Sequence, residues 1–302
     1  MTPLERLKYK LLFLWLITIP ITVFLYPNIV MLFGEPEIKA IEIIPGISLP
    51  YSKTLFIFIT ITFALNLFPL AFYMYKSYQI KEAMFRNVAP LLRDSASLIK
   101  PGLTFPKLLE ELSKKDYGPL SYYIRKVYML TLSGYDFPEA FKRGMQGIPR
   151  NILRYLQVLV EAHLSGGKVA EVLDEASKFF LELYSFEEMR ERTLKAYVYI
   201  VAMAIVVFLI SVTLILFFSE TLMAAGGKAP VTPILSKDEI IAILFYTSIV
   251  ISIFGGLILG KIVKGEVLGG FHYIYVFMLI SMVYLLFSDE IIKLLSVFLP
   301  KS

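Results

Sequence analysis

The sequence predicts an all-α, polytopic membrane protein: about five transmembrane helices, with one cytoplasmic six-helix bundle inserted between the second and third spans. Three observations lead there. Of 302 residues, 57% are hydrophobic and only 18% charged, whereas about a quarter of an ordinary soluble domain is charged. The apolar excess is gathered into five runs without Asp, Glu, Lys or Arg, at residues 11–34, 54–75, 196–219, 240–260 and 267–288. Between the second and third runs lies a charged segment in which apolar residues recur at helical spacing between evenly placed Gly and Pro. The chain accordingly divides into a membrane region at 1–75, a cytoplasmic helical domain at 76–196 and a second membrane region at 197–302.

Each run is long enough to cross a bilayer, since about 20 helical residues at about 1.5 Å each span the roughly 30 Å hydrocarbon layer. The first follows Arg6, Lys8 and Lys10, as a secretory signal would. Its apolar core is too long for one, and no small-x-small cleavage site follows, so it reads as an uncleaved anchor. Orientation comes from the basic residues. Placing the first ten residues inside also places 76–195 and the 261–266 loop inside, with 24 of the 30 Lys and Arg. That agrees with the positive-inside rule and puts the C-terminus outside.

Within the cytoplasmic segment, Pro101-Gly102 ends a first helix from about Gln79. A second covers 104–115, and a third runs 118–132, opened by Gly118 and Pro119. Gly134 turns the chain into a short fourth helix at 138–145, Pro149 opens a fifth that reaches Leu164, and Gly166-Gly167 separates it from a sixth. No Gly or Pro occurs between Lys168 and Ala225, so the sixth is expected to run on into the third span as a rod of roughly 80 Å. Glu188 with Arg192 and Glu191 with Lys195 would support it as i,i+4 pairs. The second span should also project inward as helix. Only Ile41–Ile44 hints at a strand, and residues 289–302 are either an amphipathic helix on the outer surface or an extension of the fifth span.

Little in the sequence suggests catalysis. There is no Cys, and only two His occur, so no transition-metal ligand set can be assembled from the usual residues. No cofactor site is evident. His163 reads as a satisfied or solvent-facing imidazole in the bundle, and His272 as a group hydrogen-bonded to a neighbouring helix at the inner end of the last span. Apart from His272 the spans carry no ionisable group that ion- or proton-coupled transport would use. Pro20, Pro27, Asn66 and Pro69 mark kinks or interhelical bonds. Gly256 and Gly260 form a small-xxx-small pair that lets helices approach closely, either within the chain or across a homodimer. The bundle's net charge is only +4 and no reading helix is evident, which excludes nucleic acid as a partner. An acidic protein or anionic membrane lipid fits its basic residues better.

The stretch "EAHLSGGKVAEVLDEAS" (161–177) could be taken for a phosphate loop. It lacks the first Gly, the hydroxyl after Lys168 and a preceding strand, so Gly166 and Gly167 read as a helix–helix turn. That turn, with "RDSASLIKPGLTFPKLLEEL" (93–112), "YGPLSYYIRKV" (117–127) and "LSGYDFPEAFKRG" (132–144) in this order, resembles the type II secretion system F family. These are the membrane platform proteins of type II secretion, type IV pilus and archaellum machines. The similarity extends over about 85–287, and "GKIVKGEVLGGFHY" (260–273) resembles the archaeal, single-domain branch. The resemblance implies a non-enzymatic platform that engages a hexameric secretion ATPase and pilin-like subunits. Lys114, Lys115, Lys142, Arg143, Lys261 and Lys264 are the nominated ATPase contacts, and the helix bearing Glu188, Glu191, Arg192 and Lys195 is the coupling element. The competing readings are a small-molecule transporter, which needs a polar cavity at mid-membrane, and a membrane-anchored recruitment scaffold.

Overall fold

Helices account for nearly all of the computed structural model, which describes residues 3–34, 37–44, 46–100, 103–165, 168–224 and 235–298. Among the described residues the chain is all-α apart from one short hairpin, and five of the helical stretches are long and apolar enough to cross a membrane. Two compact units divide it. One contains Met1–Lys10 and Lys76–Thr193, the other Leu11–Tyr75 and Leu194–Ser302.

In the second unit, α1 (Pro3–Phe33) continues beyond Lys10, followed by the strands β1 (Lys39–Ile44) and β2 (Ile47–Tyr51), which pair antiparallel. The expected strand signal at Ile41–Ile44 is therefore one arm of a hairpin. The helix α2 (Lys53–Arg86) returns, with Pro69 inside it. Trp15 Nε1 donates to the Asn66 carbonyl at 3.0 Å, tying α1 to α2 just ahead of that proline. The rest of the unit is α10 (Ala196–Ala224), α11 (Lys237–Lys264), a 3-10 turn at Val267–Gly270, α12 (Phe271–Leu286) and α13 (Ser288–Phe298). A reciprocal cap opens α11: Ser236 Oγ accepts from Glu239 N–H, and the Glu239 carboxylate accepts from Ser236 N–H. Phe56 stacked on Phe245 at 4.3 Å, with Leu216, Ala242, Met278 and Met282, forms the core. Many outward side chains are large and apolar, such as Phe13, Leu16 and Phe24 on α1, as a lipid-facing surface requires. Residues 288–298 form a helix of their own rather than an extension of α12, with Ile292 buried.

The first unit holds the start of α1, the end of α2 and seven further helices: α3 (Val88–Ile99), α4 (Phe105–Lys114), α5 (Pro119–Leu132), α6 (Phe137–Gly144), α7 (Arg150–Leu156), α8 (Val158–Ser165) and α9 (Val169–Leu194). Its core joins Met84, Val88, Leu91, Leu108, Leu120, Tyr123, Ile152, Leu156 and Phe180. Phe180 lies edge-on to Phe85 and Tyr155, each at 4.8 Å. Pro at the first turn of α4, α5 and α6 sets their starts.

Two expected helices are divided, and a third contains one turn residue. The Asn87 amide donates to Ala83 O at 2.7 Å, so its own N–H falls back to Met84 O at 3.2 Å and the helix tightens there, separating α2 from α3. At Gln157 the carbonyl is shared between Val160 and Glu161 N–H, a local tightening that parts α7 from α8. The rod expected over 168–225 is α9 and α10, which run on as one helical stretch over Val169–Ser219 with a single turn residue, Lys195, whose carbonyl accepts from Val198 N–H three residues on. Ala225 lies outside the described residues.

Candidate functional site

The nominated cations fall in different units. Lys114 and Lys115 close α4, and Lys142 and Arg143 form the last turn of α6, where positive charge is favourable against the helix dipole. Three of these four are engaged within the bundle. Lys114 Nζ lies 2.8 Å from both Glu110 and Glu111, Lys115 lies 2.8 Å from Asp94, and Arg143 lies 2.6 Å from Glu139 and 4.5 Å over the Tyr135 ring. The hydrogen bond from Lys114 holds the Glu110 carboxyl below the usual carboxylate range, and the two glutamates hold the Lys114 ammonium above its own. Lys142 is exposed. Exposed pairs of this kind contribute little to stability. Lys261 and Lys264 belong to the last turn of α11, in the other unit.

The turn before α5 is built around Gly118, whose φ of 57° and ψ of −132° suit only glycine, with Pro119 opening the helix behind it. Asp116 accepts from Gly118 N–H at 2.9 Å and from Ser121 Oγ at 3.2 Å. Tyr117 OH donates to Asp94 at 2.6 Å, linking α3 to this turn; burial first, and then the Asp94 carboxylate, push the phenol well above an ordinary tyrosine. Gly134 ends α5 with φ of 92°, which lets Tyr135 N–H reach Leu130 O at 3.3 Å. Gly166 and Gly167 lie outside the described residues.

On α9, Arg192 pairs with Glu188 at 2.7 Å, and Glu191 accepts from Tyr78 OH of α2 at 3.2 Å. Lys195 occupies the turn after α9. His163 packs edge-on to Phe105 at 4.3 Å and Phe137 at 5.2 Å. His272 sits beside Tyr273 and Tyr75, with the Gly269 backbone also next to its ring. Among the described residues, no group of three or more His, Asp or Glu is placed to hold a metal.

Gly256 and Gly260 pack within the chain. A Cβ added at Gly256 would lie 2.7 Å from Ile274 N, and one at Gly260 would lie 2.6 Å from Gly270 Cα and closer still to Gly270 N. A Cβ at Gly270 would run into Gly256 O. Three glycines thus bring α11 against the start of α12 main chain to main chain. Sequence reasoning named two of them but missed Gly270. Two other features also escaped it. Gly144 meets Val127, where a Cβ would lie 3.0 Å from the backbone. Asp289 forms an ion cluster with Lys237 at 2.6 Å and Lys53 at 3.7 Å, beside a cavity of about 220 Å³ whose floor includes Phe56 and Leu285. Hydrogen bonding from Lys237 holds the Asp289 carboxyl below the usual range.

Residues 91–219 match the family described as Type II secretion system (T2SS), protein F. The matched region runs from α3 into α10 and stops well short of 260–273, the segment that resembles the archaeal branch. Neither the curated proteins nor the solved structures yield a match to the chain. The chain is a multi-pass membrane protein that carries, over residues 91–219, a domain of the type II secretion system protein F family.

Proposed function

We propose that the protein is the membrane platform of a type IV filament or type II secretion-like machine, and that it works without a reaction of its own. One observation carries the reading: an F-family domain set among five helices able to cross a membrane. In this reading the bundle and N-terminus face the cytoplasm and the C-terminus faces outward. The bundle docks a hexameric secretion ATPase through Lys114, Lys115, Lys142 and Arg143, with Lys261 and Lys264 of α11 contributing. Pilin-like subunits are received among the spans, and α9 carries the ATPase's movement to them. The exposed ion-paired cations on α4 and α6 and the Tyr78–Glu191 bond that braces α9 against α2 support these roles.

Inserting Gly-Gly after Arg190 tests the coupling role. Two helix-interior glycines cost about 2 kcal/mol of local helix stability and rotate the rest of the helix out of register. Filament assembly is expected to be lost while membrane insertion and ATPase co-purification persist. Normal filaments from the insertion variant would refute α9 as the coupling element.

A further inference from the structure

The first residues of α1 do not simply precede a span; they form one wall of a groove of about 740 Å³ in the bundle unit. Arg6 and Lys10 stand on that wall, and Arg125 and Lys126 of α5 stand on the other. Leu7, Ile80, Tyr122 and Met129 supply apolar surface between them. The one carboxylate in the lining, Asp116, already accepts from Gly118 and Ser121. Arg125 uses its Nε–H on the Ser113 carbonyl, 3.2 Å away, which fixes the guanidinium at the rim. Two stretches more than a hundred residues apart therefore converge four positive charges on one amphipathic hollow. After Lys10 the chain has no charged residue for 24 positions, and Ile80 follows the 54–75 run by five residues, so both stretches that meet at the groove are next to apolar runs in the sequence.

We propose that this groove binds the phosphate of an anionic lipid headgroup, with the start of the acyl chains against the apolar surface of Leu7, Ile80, Tyr122 and Met129. Guanidinium and ammonium groups are the side chains that recognise phosphate. The apolar lining and the chargeless runs next to it in the sequence favour a lipid over an acidic peptide, which would need no such surface. The lipid would pin the head of α1 to α5.

The test uses the full-length protein in uncharged detergent, titrated with phosphatidylglycerol or phosphatidylcholine and read by native mass spectrometry. Wild type should retain phosphatidylglycerol preferentially. Losing about 1 kcal/mol per basic residue, the pair Arg125→Gln/Lys126→Gln should bind it about 30-fold more weakly. The pair Arg6→Gln/Lys10→Gln, on the opposite wall, should show the same loss, which separates a lost site from a disturbed α5. The control Lys168→Gln/Lys178→Gln removes equal charge from α9 and the residue just before it and should stay within about twofold. Four results would overturn the proposal: no preference for the anionic lipid, equal weakening by the control, displacement by millimolar inorganic phosphate, or unchanged lipid binding alongside loss of an acidic protein partner. None of these readouts depends on filament assembly.

Discussion

Replacing Gly260 with Ala adds one methyl where three main-chain atoms already stand: Gly270 N, Gly270 Cα at 2.6 Å and Val267 O at 2.6 Å. Ordinary van der Waals contact begins at 3.4 Å, so α11 and the turn before α12 must part by about 1 Å, because no rotamer change can relieve a clash with backbone. Overpacking of this kind costs about 1–3 kcal/mol, and the absence of a flexible neighbour places Gly260→Ala at the upper end. About 1 kcal/mol returns from alanine's better helix propensity, leaving about 2 kcal/mol of net destabilisation. At about 2–4 °C per kcal/mol, Tm should fall by about 4–8 °C. Gly255→Ala is the internal control on the same helix. There the new methyl meets only Val201 Cγ1, at 3.3 Å, and Tm should hold or rise. Thermal unfolding of the purified protein, with mass measured by light scattering, decides it. Equal effects from the two substitutions would refute the main-chain packing argument. A Gly260→Ala protein of unchanged Tm that lost a dimer would show that the glycines serve an intermolecular seam.

Two further outcomes rest on the polar contacts. Tyr117→Phe removes the 2.6 Å bond to Asp94 but leaves Lys115 on the carboxylate, so it should cost about 1 kcal/mol, whereas Asp94→Ala strands both partners and should cost about 2–3 kcal/mol; hydrogen exchange across α3 and α5 reports the difference, and equal protection in both variants would contradict it. Asp289 is an acid whose folded pKa is depressed by Lys237, so its contribution is fully present above its unfolded value of about 3.9 and is lost as pH falls through the folded value. For this partly exposed pair the contribution is about 0–1 kcal/mol. The Tm difference between wild type and Asp289→Asn should therefore be constant above about pH 5 and shrink toward pH 3; a difference that grows on acidification would reverse the assignment.

Chargeless length made the spans legible, because a bilayer-crossing helix tolerates few ionised side chains and needs a fixed number of residues. The bundle helices were legible to within a residue or two at α4, α5 and α6, where Pro begins them and, for α5 and α6, Gly stands at their ends. The divisions at Asn87 and Gln157 and the turn at Lys195 were not. At Asn87 the tightening depends on where the side-chain amide finds a carbonyl, which composition does not encode, and none of the three positions carries a Gly or Pro. The spacing of Gly256 and Gly260 announced close approach but not the surface approached. That surface is Gly270, which lies across a turn whose geometry no periodicity reveals. The Asp94–Tyr117 bond and the Asp289 cluster join residues far apart in sequence, so no local pattern could have found them. Lys114 and Arg143 could be named as cations, but only the fold shows that they are already occupied.

The glycine seam between α11 and α12 bears on how these two helices can move against one another. Interfaces made of long side chains slip by small rotamer adjustments, each too slight to separate the helices. Surfaces that meet peptide against peptide have no such lubricant, so α11 must lift away from α12 before it can slide along it. The α11–α12 pair consequently behaves as one rigid element, and sliding between these two helices is the costly motion.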